Sequence, residues 1–428
     1  MKLKRVVKWK VSLTQVLLFV ISGLLGFVGA MFYVNPTLKT WFDYEYWSAM
    51  SRFDESLRLA HARHVDEEKA SFDTLAQEAI AGMVESLDRH SSYYAPVEYK
   101  DFQNRTHGKY VGIGVMLRKV KKGVLLTKVF PVGPAEEAGL KAGDFILAVE
   151  GESLEGWELD QVISKIKGVR KTLVELKILS LDGAQRIVPV RRDEIEISSI
   201  EDSSVDENGT GYLRVMQFTD RTCQEIQEAL AKLEEQGMKR LVFDLRDNLG
   251  GLLESAVEVS DLFLDEDLLV VSIKGREISG SLGRNSTTTQ KYAFPLVVLV
   301  NEASASASEI VAGALSVHGR AELVGEKSYG KGSVQTIFSL SDESGMKLTT
   351  AMYFLPDGTT IHEQGIEPDH YVPCSEDNET KLRVQRYGRR DLGEAEFLEL
   401  FGFSPIPDMQ KLKAKDILIQ GAGVREKE

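Results

Sequence analysis

Cysteine is almost missing from this chain. The two present, Cys223 and Cys374, stand far apart in 428 residues. They allow at most one intrachain disulfide and no zinc spacing, which excludes a disulfide-built fold. The seven histidines include no His-Glu-x-x-His. His61 and His64 share a helical spacing, but a solvated helix face explains them better than metal ligation. No metal or other cofactor is expected. Basic charge is also short: 52 Lys and Arg stand against 65 Asp and Glu, for a net charge of −13. Five of the cations (Lys2, Lys4, Arg5, Lys8 and Lys10) crowd the first ten residues, where there is no acid. The rest is more acidic than the total suggests, which argues against nucleic acid as a partner.

What is present is ordinary globular composition, 43% hydrophobic and 27% charged, with length for two to four domains. After the basic flank 1–10, residues 11–34 are apolar apart from Ser12, Thr14, Gln15 and Ser22. As a helix they would reach roughly 36 Å, enough to cross a bilayer. The positive flank would keep the amino terminus cytoplasmic and export the body. A cleaved signal peptide with Val28-Gly29-Ala30 as its small-residue site is the rival reading. The run continues to Val34, longer than most signal cores, which favours an uncleaved signal-anchor. Residues 35–107 read as helical. Phe72, Leu75, Ala79, Met83 and Leu87 line one face behind a Ser71 N-cap, a pattern suited to packing or oligomerisation. Asp88-Arg-His-Ser-Ser-Tyr-Tyr-Ala-Pro96 ends it.

The period changes at residue 108. Val111–Leu117 and Gly123–Val129 predict strands, Leu159–Ile166 an amphipathic helix, and Leu173–Ile178 and Ile187–Val190 further strands. With Pro134-Ala-Glu-Glu-Ala-Gly-Leu-Lys-Ala-Gly-Asp-Phe-Ile146 between them, residues 108–190 resemble a PDZ domain. That resemblance implies a carboxylate-binding loop at Gly112, Ile113, Gly114 and Val115. Glycines there would let successive backbone N–H groups converge on a peptide's carboxyl terminus.

Residues 191–370 alternate strand and helix patterns. Strands are expected at Gly211–Phe218, Leu241–Leu245, Leu269–Ile273, Leu296–Val300, Glu322–Val324 and Thr349–Leu355. Helices are expected over Thr222–Glu235 and Leu252–Phe263. Residues 274–291 read as a surface loop, and 371–428 as a C-terminal appendage. The strand Leu296–Val300 runs into Asn301-Glu-Ala-Ser-Ala-Ser-Ala-Ser-Glu-Ile310 and then a small-residue helix. A serine at such a corner sits beside the helix's first free N–H groups, a place for an acyl-transfer nucleophile. Gly325-Glu-Lys-Ser-Tyr-Gly-Lys331 approaches a phosphate-binding loop. Gly332, however, replaces the hydroxyl that would hold Mg²⁺, and the following residues alternate like a strand. Lys331 as a base for serine is the better reading. Free lysine titrates at ~10.4, so a base poised near 7 needs a downward displacement worth roughly 4 kcal/mol, which burial can supply.

In combination, the PDZ-like segment, Asp244-Leu-Arg-x-Asn-x-Gly-Gly251, Ser304-Ala-Ser-Ala-Ser-Glu309, Gly330-Lys-Gly332 with Gln335, and Gly365-Ile-x-Pro-Asp369 resemble the carboxy-terminal processing, or tail-specific, serine proteases of bacterial envelopes. The resemblance spans roughly residues 65–370. It implies an α/β fold: a crotonase/ClpP-like protease core with an inserted PDZ domain and an N-terminal helical segment. It further implies Ser306 as nucleophile, Lys331 as base, Gln335 as the residue orienting the lysine, and Ala307 with one glycine of the Gly250-Gly251 pair, Gly251 being preferred, as oxyanion donors. Substrates would be proteins or peptides with exposed C-terminal tails. A homo-oligomer, an envelope adaptor protein and the inner membrane would be partners. An inactive PDZ scaffold on a protease-like core is the alternative, disfavoured because Ser306, Lys331 and Gln335 are all present. Two positions depart from the family: Leu249 stands where Pro usually precedes the glycine pair, and Lys171 where Arg-Gly-x-x-Gly-Thr has its second glycine.

Overall fold

The computed structural model describes Ser22 and residues 43–421, apart from 107–108, 121–122, 131–132, 181–182, 277, 279, 288–290 and 388–392. The expected anchor at 11–34 lies outside the described residues except for Ser22. Among the described residues, no helix is long and apolar enough to cross a membrane.

The chain divides into two compact units, 1–87 and 88–428. In the first, the helices Tyr44–Arg63 and Phe72–Glu85 are capped by Asp43 and Ser71, whose side chains accept from first-turn N–H groups. His61 stacks on Phe72 at 4.0 Å and bonds the Ala70 carbonyl at 2.7 Å, joining the two helices.

The second unit is built on a six-stranded sheet in the order Ile200–Val205, Thr210–Val215, Arg240–Asp244, Leu296–Val300, Glu322–Gly325, His370–Tyr371. The first pair is antiparallel and the rest are parallel. Parallel strands bury both faces, and all five residues of Leu296–Val300 are buried. Successive side chains point to opposite sides. Val298 and Val300 join Leu213, Phe243 and Leu323 under the helices Thr222–Glu235, Leu253–Asp261 and Ala307–Val317. Val297 and Leu299 join Tyr212, Val242 and Val324 on the other face, against Ala414, Ile417 and Leu418. These last three belong to the helix Met409–Gln420. The expected C-terminal appendage is therefore corrected: its last helix is part of the core, covering a sheet face that would otherwise expose branched aliphatics to water.

A second, antiparallel sheet runs Ser92–Tyr94, Gly345–Phe354, Leu269–Gly275, Leu282–Asn285, with Ser333–Ser339 also paired to Gly345–Phe354. Two expectations change here. The supposed surface loop 274–291 contains a hairpin strand, Leu282–Asn285, whose polar sequence hid it. Ser92–Tyr94 is a strand inside a stretch read as helical.

The PDZ-like unit is a six-stranded antiparallel sheet, Val115–Val120 to Gln185–Arg191, closed by the helix Leu159–Ile166. The expected strand Val111–Leu117 is broken. Lys109–Gly112 pairs with Asp193–Glu196 where the chain enters and leaves the unit, while Val115–Val120 pairs inside it. The break falls at Ile113-Gly114, where Gly114 has φ +79°. The Ile113 and Gly114 carbonyls accept from Ala135 and Phe130 N–H. Among the described residues nothing accepts from the Ile113 or Gly114 N–H.

Candidate active site

Three neighbouring parallel strands, Arg240–Asp244, Leu296–Val300 and Glu322–Gly325, end side by side. The loops leaving their carboxyl ends, 245–252, 301–306 and 326–332, meet above the sheet. Clefts of open α/β sheets lie at such ends.

Loop 245–252 is held by charge. Asp244, fully buried, accepts from Tyr212 Oη at 2.6 Å, Arg214 Nη1 at 3.1 Å and Arg246 Nη2 at 2.6 Å. Burial alone would raise its pKa, but the two guanidiniums hold it far below the usual carboxylate range. Arg246 reaches on to Asp408 and Gln410 beside the last core helix. Asp247 accepts from Arg214, Arg383 and Arg386. Gly250 donates to Asn248 Oδ1 at 2.9 Å. A side chain at Gly250 would place its Cβ 2.8 Å from Ser306 Cβ and 2.9 Å from Ala307 N, so only glycine permits this approach. At Gly251 a Cβ would fall 2.0 Å from the Phe218 carbonyl oxygen. Leu249, in the place of the family's proline, is 71% exposed and supports nothing in the core.

The three serines of the corner differ in what their hydroxyls do. Ser304 Oγ donates to the Leu245 carbonyl at 2.9 Å, and Ser308 Oγ to the Asn248 carbonyl at 2.8 Å. Among the described residues the Ser306 hydroxyl donates to nothing. Ser306 also has φ +57° and ψ −113°, a strained conformation for a residue with a side chain, at the N-cap of Ala307–Val317. The Ala307 and Gly251 N–H groups have no acceptor among the described residues.

Glu309 joins this corner to the lysine loop. Its fully buried carboxylate accepts from Ser306 N–H at 2.9 Å, Lys331 N–H at 2.9 Å, Gly330 N–H at 2.7 Å and Ser328 Oγ at 2.5 Å. One side chain thereby fixes the backbones on both sides of the site. A signal for it existed in the sequence: Ser-x-x-Glu at a helix start is a capping box. Gly330 and Gly332 let the lysine loop lie against residues 362–365, where a Cβ would fall 2.9 Å from Gly365 N and 2.5 Å from His362 N respectively. Lys331 is partly buried. Burial, and then the like charge of Lys347, lowers its pKa below the ordinary lysine value, against a smaller upward pull from Glu309.

Ser306, Ala307, Gly251 and Lys331 thus lie on loops joined by the Gly250–Ser306 approach and by Glu309, while Gln335 lies in the strand Ser333–Ser339 that follows the lysine loop. Gln335 makes no bond to Lys331; its Nε2 donates to Ser333 Oγ at 2.9 Å and Thr349 Oγ1 at 3.3 Å. Ile113, Gly114 and Val115 belong to the PDZ-like unit instead, and Gly112 ends the strand that pairs with Asp193–Glu196 at its entrance, outside that sheet. Sequence reasoning passed over Asp88–Ser91. Thr349 N–H donates to Ser91 Oγ at 3.1 Å. The pKa of His90 is lowered by burial and then by the charge of Lys331. Lys171, at the position where the resemblance leads one to expect glycine, has φ +69°, in the left-handed region.

The profile of Peptidase family S41 matches residues 209–372, and that of the PDZ domain residues 102–179. A carboxy-terminal-processing protease of Bartonella bacilliformis is 36% identical over 338 residues, 76% of this chain and 75% of that one. A probable CtpA-like serine protease of Staphylococcus haemolyticus is 36% identical over 303 residues, 70% of this chain; the chain spans only 60% of that relative's length. A photosystem II D1 C-terminal processing protease superposes with a TM-score of 0.44 at 28% identity, covering 76% of this chain and 95% of that one. Identity sustained over three quarters of the Bartonella protease, with both profiles falling on the units seen in the fold, makes this chain a member of peptidase family S41 that carries a PDZ domain.

Proposed function

We propose that the protein is a serine endopeptidase of the cell envelope, reading C-terminal tails through its PDZ domain and cleaving with a Ser306–Lys331 dyad. One observation carries this. Of three corner serines only Ser306 keeps its hydroxyl unspent, next to two N–H groups without acceptors and on a backbone that Glu309 ties to the lysine loop. Ser306 Oγ attacks the scissile carbonyl and passes its proton to neutral Lys331 Nζ. Ala307 and Gly251 N–H groups receive the developing oxyanion. The lysine returns the proton to the leaving amine, and water then hydrolyses the acyl-enzyme. The unpartnered Ile113 and Gly114 N–H groups suit a terminal carboxylate. The basic flank and the apolar run 11–34 support an inner-membrane anchor with the body exported.

The test is hydrolysis of fluorescein-labelled casein by the full chain and by Ser306→Ala, Lys331→Ala and Ser308→Ala. The first two should be inactive while folded, and the third should retain more activity. Inactive Ser308→Ala with active Ser306→Ala would reject the assignment.

A further inference from the structure

Gln335 ends a chain of hydrogen bonds whose direction is set at its far end. Asp88 accepts from His90 N–H at 2.7 Å, Ser91 N–H at 2.9 Å, Ser91 Oγ at 2.8 Å and Thr349 Oγ1 at 3.2 Å. A carboxylate only accepts, so the single Thr349 hydroxyl proton is committed to Asp88. That hydroxyl can then only accept from Gln335, and Gln335 must present its NH₂ there. Gln335 Nε2 spends its two hydrogens on Thr349 Oγ1 and Ser333 Oγ. The carbonyl oxygen Oε1 is left without a partner among the described residues. An amide's two ends are nearly the same shape, so its direction is decided by such partners.

The segment Asp88–Ser91 is itself fixed next to the site. Ser91, almost fully buried, accepts from Thr349 N–H, and the adjoining strand Ser92–Tyr94 pairs with Gly345–Phe354, the strand that carries Thr349. Gln335 and Thr349 are register partners at a bulge in the pairing of Ser333–Ser339 with that strand. Lys347 and Glu309 act on the charge of Lys331 from neighbouring elements, and Lys331 in turn acts on His90.

We propose that Asp88 is a positioning residue: through the Thr349 hydroxyl it turns the Gln335 amide so that the carbonyl oxygen, not the NH₂, faces Lys331. The oxygen then holds the Lys331 amine by its hydrogens and leaves the lone pair for the Ser306 proton. With the amide reversed, NH₂ would compete for that lone pair and disfavour the ammonium formed in the reaction. This rests on the Ser306–Lys331 reading.

Thr349→Val keeps the shape and removes the relay; Thr349→Ser keeps the hydroxyl. In casein hydrolysis by the full chain, Thr349→Val should lose roughly tenfold in kcat, the size of one neutral hydrogen bond. KM should not change, and the acid limb of the pH profile should move to lower pH. Thr349→Ser should match the wild type. Asp88→Ala frees the Thr349 hydroxyl to turn toward Gln335 and should lose kcat in the same way. Either change made in the Gln335→Ala background should cause no further loss. Wild-type kcat and acid limb in Thr349→Val, or additive losses in the Gln335→Ala background, would overturn the relay. If Lys331→Ala is inactive in the same assay, that result leaves the dyad standing; activity in Lys331→Ala would instead remove the reading on which the relay rests.

Discussion

Glu309→Gln changes one atom and should uncouple the two halves of the site. The carboxylate receives two donors on each oxygen: Ser328 Oγ and Gly330 N–H on Oε1, and Ser306 and Lys331 N–H on Oε2. Glutamine must replace one oxygen by NH₂. Placed at Oε2, NH₂ faces two backbone donors that cannot turn away. Placed at Oε1, it faces only one, because the Ser328 hydroxyl can rotate and accept. The second arrangement is cheaper, yet it orphans Gly330 N–H and turns the remaining charge-assisted bonds into neutral ones. One buried orphan costs ~1–3 kcal/mol and each of the two weakened bonds about 1 kcal/mol more, for a total of about 3–5 kcal/mol. Against a stability of roughly 5–15 kcal/mol, that is a large fraction. Urea unfolding of the full chain should show it as a lowered midpoint. Labelling of Ser306 by a fluorophosphonate should slow even under conditions where the variant is fully folded. Glu309→Ala, which strands all four donors, should be worse. An unchanged midpoint with wild-type labelling in Glu309→Gln would refute the idea that this carboxylate sets the geometry.

Three further outcomes are expected. In the proposed dyad Lys331 is a base only when neutral, so activity should be lost as pH falls through its lowered pKa; Lys347→Met removes the like charge that helps lower it and should move the acid limb to higher pH. Lys171→Gly should raise the thermal midpoint of the PDZ unit slightly, by up to about 1 kcal/mol of stability, since glycine carries no penalty at φ +69°. An apolar-ended tail peptide should bind the full-length Ser306→Ala variant on the order of tenfold to a hundredfold better than its C-terminally amidated form in calorimetry, because amidation removes a charged acceptor; equal affinities would refute carboxylate reading.

Much of the fold was legible because its elements carry one strong period. Thr222–Glu235 and Leu159–Ile166 have the predicted ends, and Leu296–Val300 is the buried strand its branched run implied. The strand break at Ile113-Gly114 was not legible, since Val111–Leu117 shows no change of pattern where the two halves join different sheets. Nor was the strand Leu282–Asn285, which is polar and mostly exposed. At the site, serine and lysine announced themselves by their local setting. Asp88 did not, because its partner Thr349 lies 261 positions away and no local pattern encodes that meeting. The fate of Ser304 and Ser308 was likewise hidden: their hydroxyls are spent on carbonyls 59 and 60 positions earlier.

The buried Asp244–Arg246 pair bears on when the site comes into being. Arg246, wholly enclosed, takes two of its acceptors from Asp408 and Gln410, 162 and 164 positions later. A ribosome that has already delivered Ser306 and Lys331 still holds back the Asp408 counter-charge and the Gln410 acceptor. It also holds back the helix Met409–Gln420, which roofs the sheet. Arg246 keeps Asp244, but the N–H groups meant for Asp408 and Gln410 lack acceptors until then, at about 1–3 kcal/mol for each one left buried. A chain halted before residue 408 therefore has this glycine loop without that support. The residues that hold up the floor of the site thus make the settling of its glycine loop depend on the last core helix of the chain.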